Sequence, residues 1–314
     1  MKPTEIRAKL MRRMYVYVME RLEDELAARP DVVQAATDSP VRFEIMHEAL
    51  KRGQGPPPSL RAMPHMAGSM SGIRRSLTSV DDNPAQPRTH MPEADLARLE
   101  AYARSVGVDD IGYAHLSEEL VFQRKAVLHP NAIVLTMEMD KARMETAPSE
   151  QSFVEVHAVY NHLGRAANRI AAWLKQQGFS AQAGPALMGT ALYPPLGQRA
   201  GLGWRGLHGL LITPRFGPRV RLAVVYTSIK NLPLARENPH SWIEDYCRKC
   251  RLCAKECPPQ AILEQPLKNS NGLVTCTLTD KCFPYFIDNY GCSICIRVCP
   301  FQRGEYAKLK ESLG

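Results

Sequence analysis

No cysteine occurs in the first 246 residues of this 314-residue chain, and no stretch approaches the roughly 20 consecutive apolar residues that a membrane-crossing helix requires. The N-terminal segment MKPTEIRAKLMRRMYVYVMERLEDELAARPD is charged but never apolar for long, so it predicts an amphipathic helix and not a secretion signal. Arg12 and Arg13 are adjacent, yet no apolar stretch of the kind an export signal carries follows them. The expectation is a soluble, cytoplasmic protein. Aromatic residues are sparse at 7% and are not interleaved with the basic ones. The excess of 40 Lys and Arg over 32 Asp and Glu, a formal charge of +8, therefore points to a solvated basic surface or to a mouth that attracts an anionic substrate or partner. Nucleic acid is disfavoured as a partner.

Disulfides are excluded by a different pattern. All nine cysteines lie between Cys247 and Cys299, whereas disulfides staple small exported domains and this chain carries a large cysteine-free body. Metal ligation is the better reading. At 45% hydrophobic residues the body is well able to bury a core.

Three regions follow from the pattern along the chain. Residues 1–92 begin helical, with Ile6, Leu10, Met14 and Val18 at helical spacing. The Gly-, Pro-, Ser- and Met-rich run from 52 to 98 then predicts an extended arm with at most short helical pieces, free to wrap a second copy in a homodimer, to cover a pocket or to stay disordered. Residues 93–235 alternate helix and strand: a helix at EADLARLEAYARSVG, strands at DDIGYAHL and AIVLTMEM, and a long helix from about Phe153 to Gln177 whose buried side is marked by Val156, Tyr160, Leu163, Ala167, Ile170 and Leu174. VRLAVVYTSI is nearly continuously apolar and reads as a central strand. Residues 236–314 form the cysteine-rich module.

The module contains Cys247-x2-Cys250-x2-Cys253-x3-Cys257-Pro258 and, later, Cys292-x2-Cys295-x3-Cys299-Pro300. Three thiolates spaced by two residues curl around one iron–sulfur cube, and the fourth, before proline, crosses to the neighbouring cube. Cys247, Cys250, Cys253 and Cys299 are thus expected to hold one [4Fe-4S] cluster, and Cys257, Cys292 and Cys295 a second. Cys282 and Cys276 compete for the eighth ligand position. Cys282, in the turn-rich DKCFPYF, is preferred, which leaves Cys276 as a spare buried thiol. Closed tetrahedral zinc sites are the structural alternative. Gly201, Gly203, Gly206 and Gly209 remove side chains where the backbone must approach something large and flat, or where it must turn.

The stretch AGLGWRGLHGLLITPRFGPRVRLAVVYT, then NLPLA, then the cysteine module ending in KCFPYFIDNYGCSICIRVCPF, resembles the corrinoid-dependent reductive dehalogenases and their relatives, the epoxyqueuosine reductases, over roughly residues 93–304. The resemblance implies an α/β (α+β) fold: a nitroreductase-like core that binds cobalamin, followed by a bacterial-ferredoxin-like domain with two [4Fe-4S] clusters. It further implies an oxidoreductase that takes electrons from reduced ferredoxin or flavodoxin and reduces a small organic substrate. A flavin or another tetrapyrrole in the core, or a non-enzymatic electron-transfer subunit, are the alternatives. On this resemblance Tyr160 matches the proton-donating tyrosine and Arg221 the arginine that steadies its phenolate, with Arg219 as competitor. Otherwise Tyr160 belongs to the apolar stripe of its helix. The glycines become cofactor-binding residues, and His208 among them contacts a cofactor amide or phosphate or caps a turn. His157 and His162 fall on different sides of their helix and share no metal, and Glu155 is explained by its place near the helix start.

Two departures stand out. Trp204 and Gly206-Leu207 replace the acidic and Gly-Arg positions usual in dehalogenases. No acid lies between Ser180 and Arg199, where epoxyqueuosine reductases carry a catalytic aspartate.

Overall fold

The computed structural model describes residues 18–35, 59–303 and 305–313. The expected helical positions Ile6, Leu10 and Met14, and the arm from 52 to 58, lie outside these residues.

A four-stranded antiparallel sheet forms the centre. Its strands are β1 (Asp110–His115), β2 (Asn131–Glu138), β3 (Ala181–Gly184) and β4 (Val220–Thr227), in the order β1-β2-β4-β3. Every pairing is antiparallel, with Val134 opposite Val224 and Arg221 opposite Met137. The alternation of helix and strand in the sequence therefore builds an α+β layer structure and not a parallel sheet. β4 is central, as its apolar run predicts, because both of its faces are covered. Ile133 and Leu135 of β2, with Ala223 and Val225 of β4, share one core with Leu163, Ala167, Ile170 and Leu174. Their neighbours Ala132, Val134, Val224 and Tyr226 pack on the opposite face with Tyr193 and Leu196. This is the alternation of a pleated strand, buried on both sides.

Helix α1 (Met63–Thr78) lies where the sequence predicts an arm with only short helical pieces. Its small residues explain the difference. Gly68 sits against Asn161, where a Cβ would come 2.4 Å from Oδ1, and Asn168 Nδ2 donates to the Gly72 carbonyl at 3.1 Å. Gly68 and Gly72, one turn apart, let this helix approach a neighbour closely, so composition that reads as loop serves as a packing stripe. Its neighbour is α3 (Glu150–Gln176), which follows α2 (Glu93–Ser105) and is started by Ser149, whose side chain accepts from Ser152 N in a capping box. The helical residues 18–27 dock Met19 and Leu26 against Ile73, Leu77 and Val80, and Lys125 and Glu23 form a buried ion pair beneath them.

After β3, α4 (Tyr193–Arg199) leads into a hairpin pairing Trp204–Arg205 with Leu211–Ile212, and then into β4. The cysteine-rich part comprises α5 (Trp242–Cys250), α6 (Leu252–Lys255), the antiparallel strands β5 (Ile262–Lys268) and β6 (Val274–Thr277), α7 (Thr279–Asp288) and α8 (Ile294–Arg297). Among the described residues no helix is long and apolar enough to cross a membrane.

Candidate redox site

Local backbone turns gather the thiols. Cys247 and Cys250 sit one turn apart on α5, Arg251 then takes a left-handed conformation (φ 50°), and α6 brings in Cys253. The same device recurs at Cys292 and Ser293 (φ 38° and 67°) before Cys295. Each repeat of the motif is thus a helix-like turn broken by a left-handed residue that points successive sulfurs inward.

Two quartets result. Cys253 lies within electrostatic reach of Cys247 and Cys250, and Cys299 within reach of all three. Together with Tyr246 these four line one small cavity. Cys295 senses Cys292, Cys282 and Cys257, Cys282 senses Cys292 and Cys257, and all four line a second, larger cavity. Cys299 and Cys257 each join the quartet built by the other motif, the crossing that the Cys-Pro endings imply. Both Cys276 and Cys282 line this cavity, and Cys282 is the one that lies within electrostatic reach of Cys292 and Cys257. Cys276 is buried beside Gly209 and close to Arg205. Cys295 also senses Cys253, so the quartets are neighbours.

The donor chemistry fits a cationic metal group. Burial pushes the Cys247 and Cys282 thiols up to about 11 and Cys253 up to about 12, with neighbouring thiols adding to the rise. Such sulfurs become thiolates only when positive metal centres offset their desolvation. Four thiols in one quartet are also a donor set that suits zinc. All nine cysteines are free of disulfides.

The larger cavity, about 610 Å³, extends beyond the Cys257 quartet. Its other wall carries Pro194, Arg205, His208, Gly209, Leu210 and Arg221. This volume is typical of a small-molecule or cofactor site. His208 is buried, burial holds its imidazole down at about 4, and its Nδ1 accepts from Leu210 N at 3.1 Å.

The sequence-predicted residues are distributed unevenly around it. The Arg221 guanidinium lies 4.7 Å from the centre of the Tyr160 ring, over its face, within the range of a cation–π contact. Tyr160 is half-buried and packs against the cluster of Met139, Val156, Val159 and Ile296, against which Leu210 and Cys295 also pack. Arg221 is in the cavity lining and Tyr160 is not. Beside it, the His157 ring meets Tyr160 and Phe153 edge-on at 5.9 and 4.3 Å. Burial, then the charges of Arg221 and His65, hold the His157 imidazole down at about 4, and its Nδ1 is buried without a partner. His162 instead meets His65.

Arg219 is engaged elsewhere: its Nη1 donates to Glu138 Oε1 at 2.5 Å and to the Met139 carbonyl at 2.8 Å. Glu155 accepts from Arg143 at 3.0 Å and from Asp140 N at 2.8 Å, a helix-start role.

Gly209 borders the cavity in a left-handed conformation (φ 83°). Gly201, Gly203 and Gly206 face the protein itself. A Cβ on Gly203 would lie 2.1 Å from the Ile212 carbonyl oxygen, and one on Gly206 would lie 2.9 Å from the His208 ring. Close packing in and beside the hairpin accounts for Gly203 and Gly206, and Gly201 takes a left-handed turn conformation (φ 72°) beside Ala235. Sequence reasoning missed Arg205, whose side chain joins the cavity wall. Its only signal is its place inside the glycine stretch.

These features define a class: an α+β core with a cysteine module whose inner thiol quartet opens on a cavity in the core wall. Solved structures of the same fold are reductive dehalogenases. A catabolic reductive dehalogenase in complex with 3-bromo-4-hydroxybenzoic acid superposes with a TM-score of 0.64 at 19% identity, covering 80% of this chain and 38% of that one. In sequence, the homologues carry both names that the motifs resemble. A tetrachloroethene reductive dehalogenase from Desulfitobacterium hafniense is 31% identical over 214 residues, 63% of this chain and 38% of the relative. An epoxyqueuosine reductase from Listeria monocytogenes is 36% identical over 114 residues, 34% of this chain and 28% of the relative. The chain thus spans well under half the length of these relatives. No family model matches.

Proposed function

We propose that the chain is an iron–sulfur, cobalamin-dependent reductase. In this account residues 236–314 hold two [4Fe-4S] clusters and residues 93–235 supply the corrinoid wall. The observation that carries this reading is the opening of the Cys257, Cys282, Cys292 and Cys295 quartet onto the 610 Å³ cavity that Arg221 also lines. A corrinoid in that cavity would supply a low-potential cobalt centre competent to reduce a carbon–halogen bond or a comparable electrophile, with the clusters as its electron source.

The chain's own contributions are positional and acid–base. Cys247, Cys250, Cys253 and Cys299 hold the outer cluster, the entry point for electrons from reduced ferredoxin or flavodoxin. His208 and Gly209 border the cofactor, and Leu210 and Pro194 exclude water from it. A phenol of ordinary pKa near 10 releases its proton at neutral pH only when a cation steadies the phenolate. Arg221, stacked on Tyr160, is that cation. No carboxylate occurs between Ser180 and Arg199; Asp280 and Tyr285, which line the cavity, are the competing proton sources. The substrate class is a small organic electrophile, with tetrachloroethene the named substrate of one set of relatives.

The test is mass spectrometry of the organic cofactor released from protein isolated without oxygen. A corrinoid is the expected result. Flavin, another tetrapyrrole, or no cofactor would overturn the proposal.

A further inference from the structure

His208 is 5% exposed and borders both cavities: the one lined by Cys247, Cys250, Cys253 and Cys299, and the one that opens from the Cys257 quartet. The residue is therefore shared by the cavities of the two thiol quartets. The tautomer follows from the backbone. Leu210 N donates to Nδ1 at 3.1 Å, so Nδ1 is the acceptor and the neutral ring carries its proton on Nε2. That Nε2 is buried and has no partner in the protein. A buried N–H without an acceptor is destabilising and calls for an explanation. A backbone N–H already serves a cluster thiol elsewhere in the module, since Ala261 N donates to Cys257 Sγ at 3.3 Å. Gly206 completes the arrangement: a Cβ there would lie 2.9 Å from Cε1 and 3.2 Å from Nε2, so the absence of a side chain leaves room for the ring.

We infer that His208 is a redox-positioning residue whose Nε2–H donates a hydrogen bond to a sulfur of one of the two [4Fe-4S] clusters. This rests on the two-cluster reading above and assigns His208 to the clusters instead of to an amide or phosphate of the organic cofactor. An N–H···S bond stabilises the more negative, reduced cluster and raises its potential. The residue thereby sets the two clusters apart in potential at the point where the electron must pass between them.

The experiment is an EPR-monitored redox titration of the anaerobically prepared holoprotein and two variants, with iron and corrinoid measured on the same samples. His208→Asn keeps an acceptor for Leu210 N–H but places no N–H where Nε2 stands. His208→Gln carries an amide N–H to that place. The expected result is a more negative midpoint potential for one cluster in His208→Asn, a smaller displacement in His208→Gln, and unchanged iron content. Should His208→Asn fail to load iron, a His208→Gln protein that loads normally with near-native potentials supports the inference, and one that loads no iron overturns a purely tuning role. Wild-type potentials for both clusters in His208→Asn, with or without loss of corrinoid, overturn it alone. A wild-type chain with fewer than two clusters overturns the parent reading and this inference together.

Discussion

Cys276 and Cys282 carry the same thiol on neighbouring elements, β6 and α7, and their surroundings separate them. Cys282 faces Cys292 and Cys257, whereas Cys276 has Gly209 and Arg205 beside it. Cys282→Ala is expected to halve the iron content from about eight to about four per chain, while Cys276→Ala leaves about eight. Colorimetric iron analysis of the two variants decides, and the reverse pattern would exchange their roles. The Tyr160–Arg221 stack makes a second claim at this scale. Tyr160→Phe keeps a ring under the guanidinium and removes only the hydroxyl. Reductive turnover of a halogenated or epoxide substrate accepted by the wild type should fall by about 10²–10⁴, and turnover equal to the wild type would move the proton source to another group. The cysteine quartets were legible in the sequence because ligand spacing is local and the Cys-Pro endings mark the crossing residues. Arg205 was not, since its place in the cavity wall depends on how the 204–212 hairpin meets β6.

At the scale of elements, β4 announced itself by an apolar run broken only by Arg221, and the two-sided burial of Val224, Val225 and Tyr226 is its physical cause. The sequence could not show that the sheet is antiparallel, because pairing direction depends on the connections. Helix α1 stayed hidden because Gly68 and Gly72, which lower intrinsic helix propensity, are retained for close packing on α3. Its neighbour, the helical stretch 18–27, is joined to the core through Glu23 and Lys125, both buried. Desolvation outweighs the attraction of Lys125 and raises the Glu23 carboxyl above its usual range, so the pair specifies position more than it adds stability. Removing one partner strands the other charge: Lys125→Met should lower stability by about 3–5 kcal/mol, and the double change Glu23→Leu with Lys125→Met should recover most of that loss. Urea denaturation followed by circular dichroism measures both. A double variant as unstable as the single one would show that the pair is more than a compensated charge.

For the whole molecule, the proposed function makes the parts a path for electrons. Two thiol quartets lie side by side, one bordered by Tyr246 and Arg251 and the other opening on a cavity, with His208 bordering both. A module that merely relayed electrons would need no 610 Å³ space in the wall of an α+β core. The measurement that tests this most directly is the elemental content of the protein isolated without oxygen, read by mass spectrometry of its metals. The account predicts about eight iron atoms and one cobalt per chain; zinc in place of iron, or iron without cobalt, would contradict it.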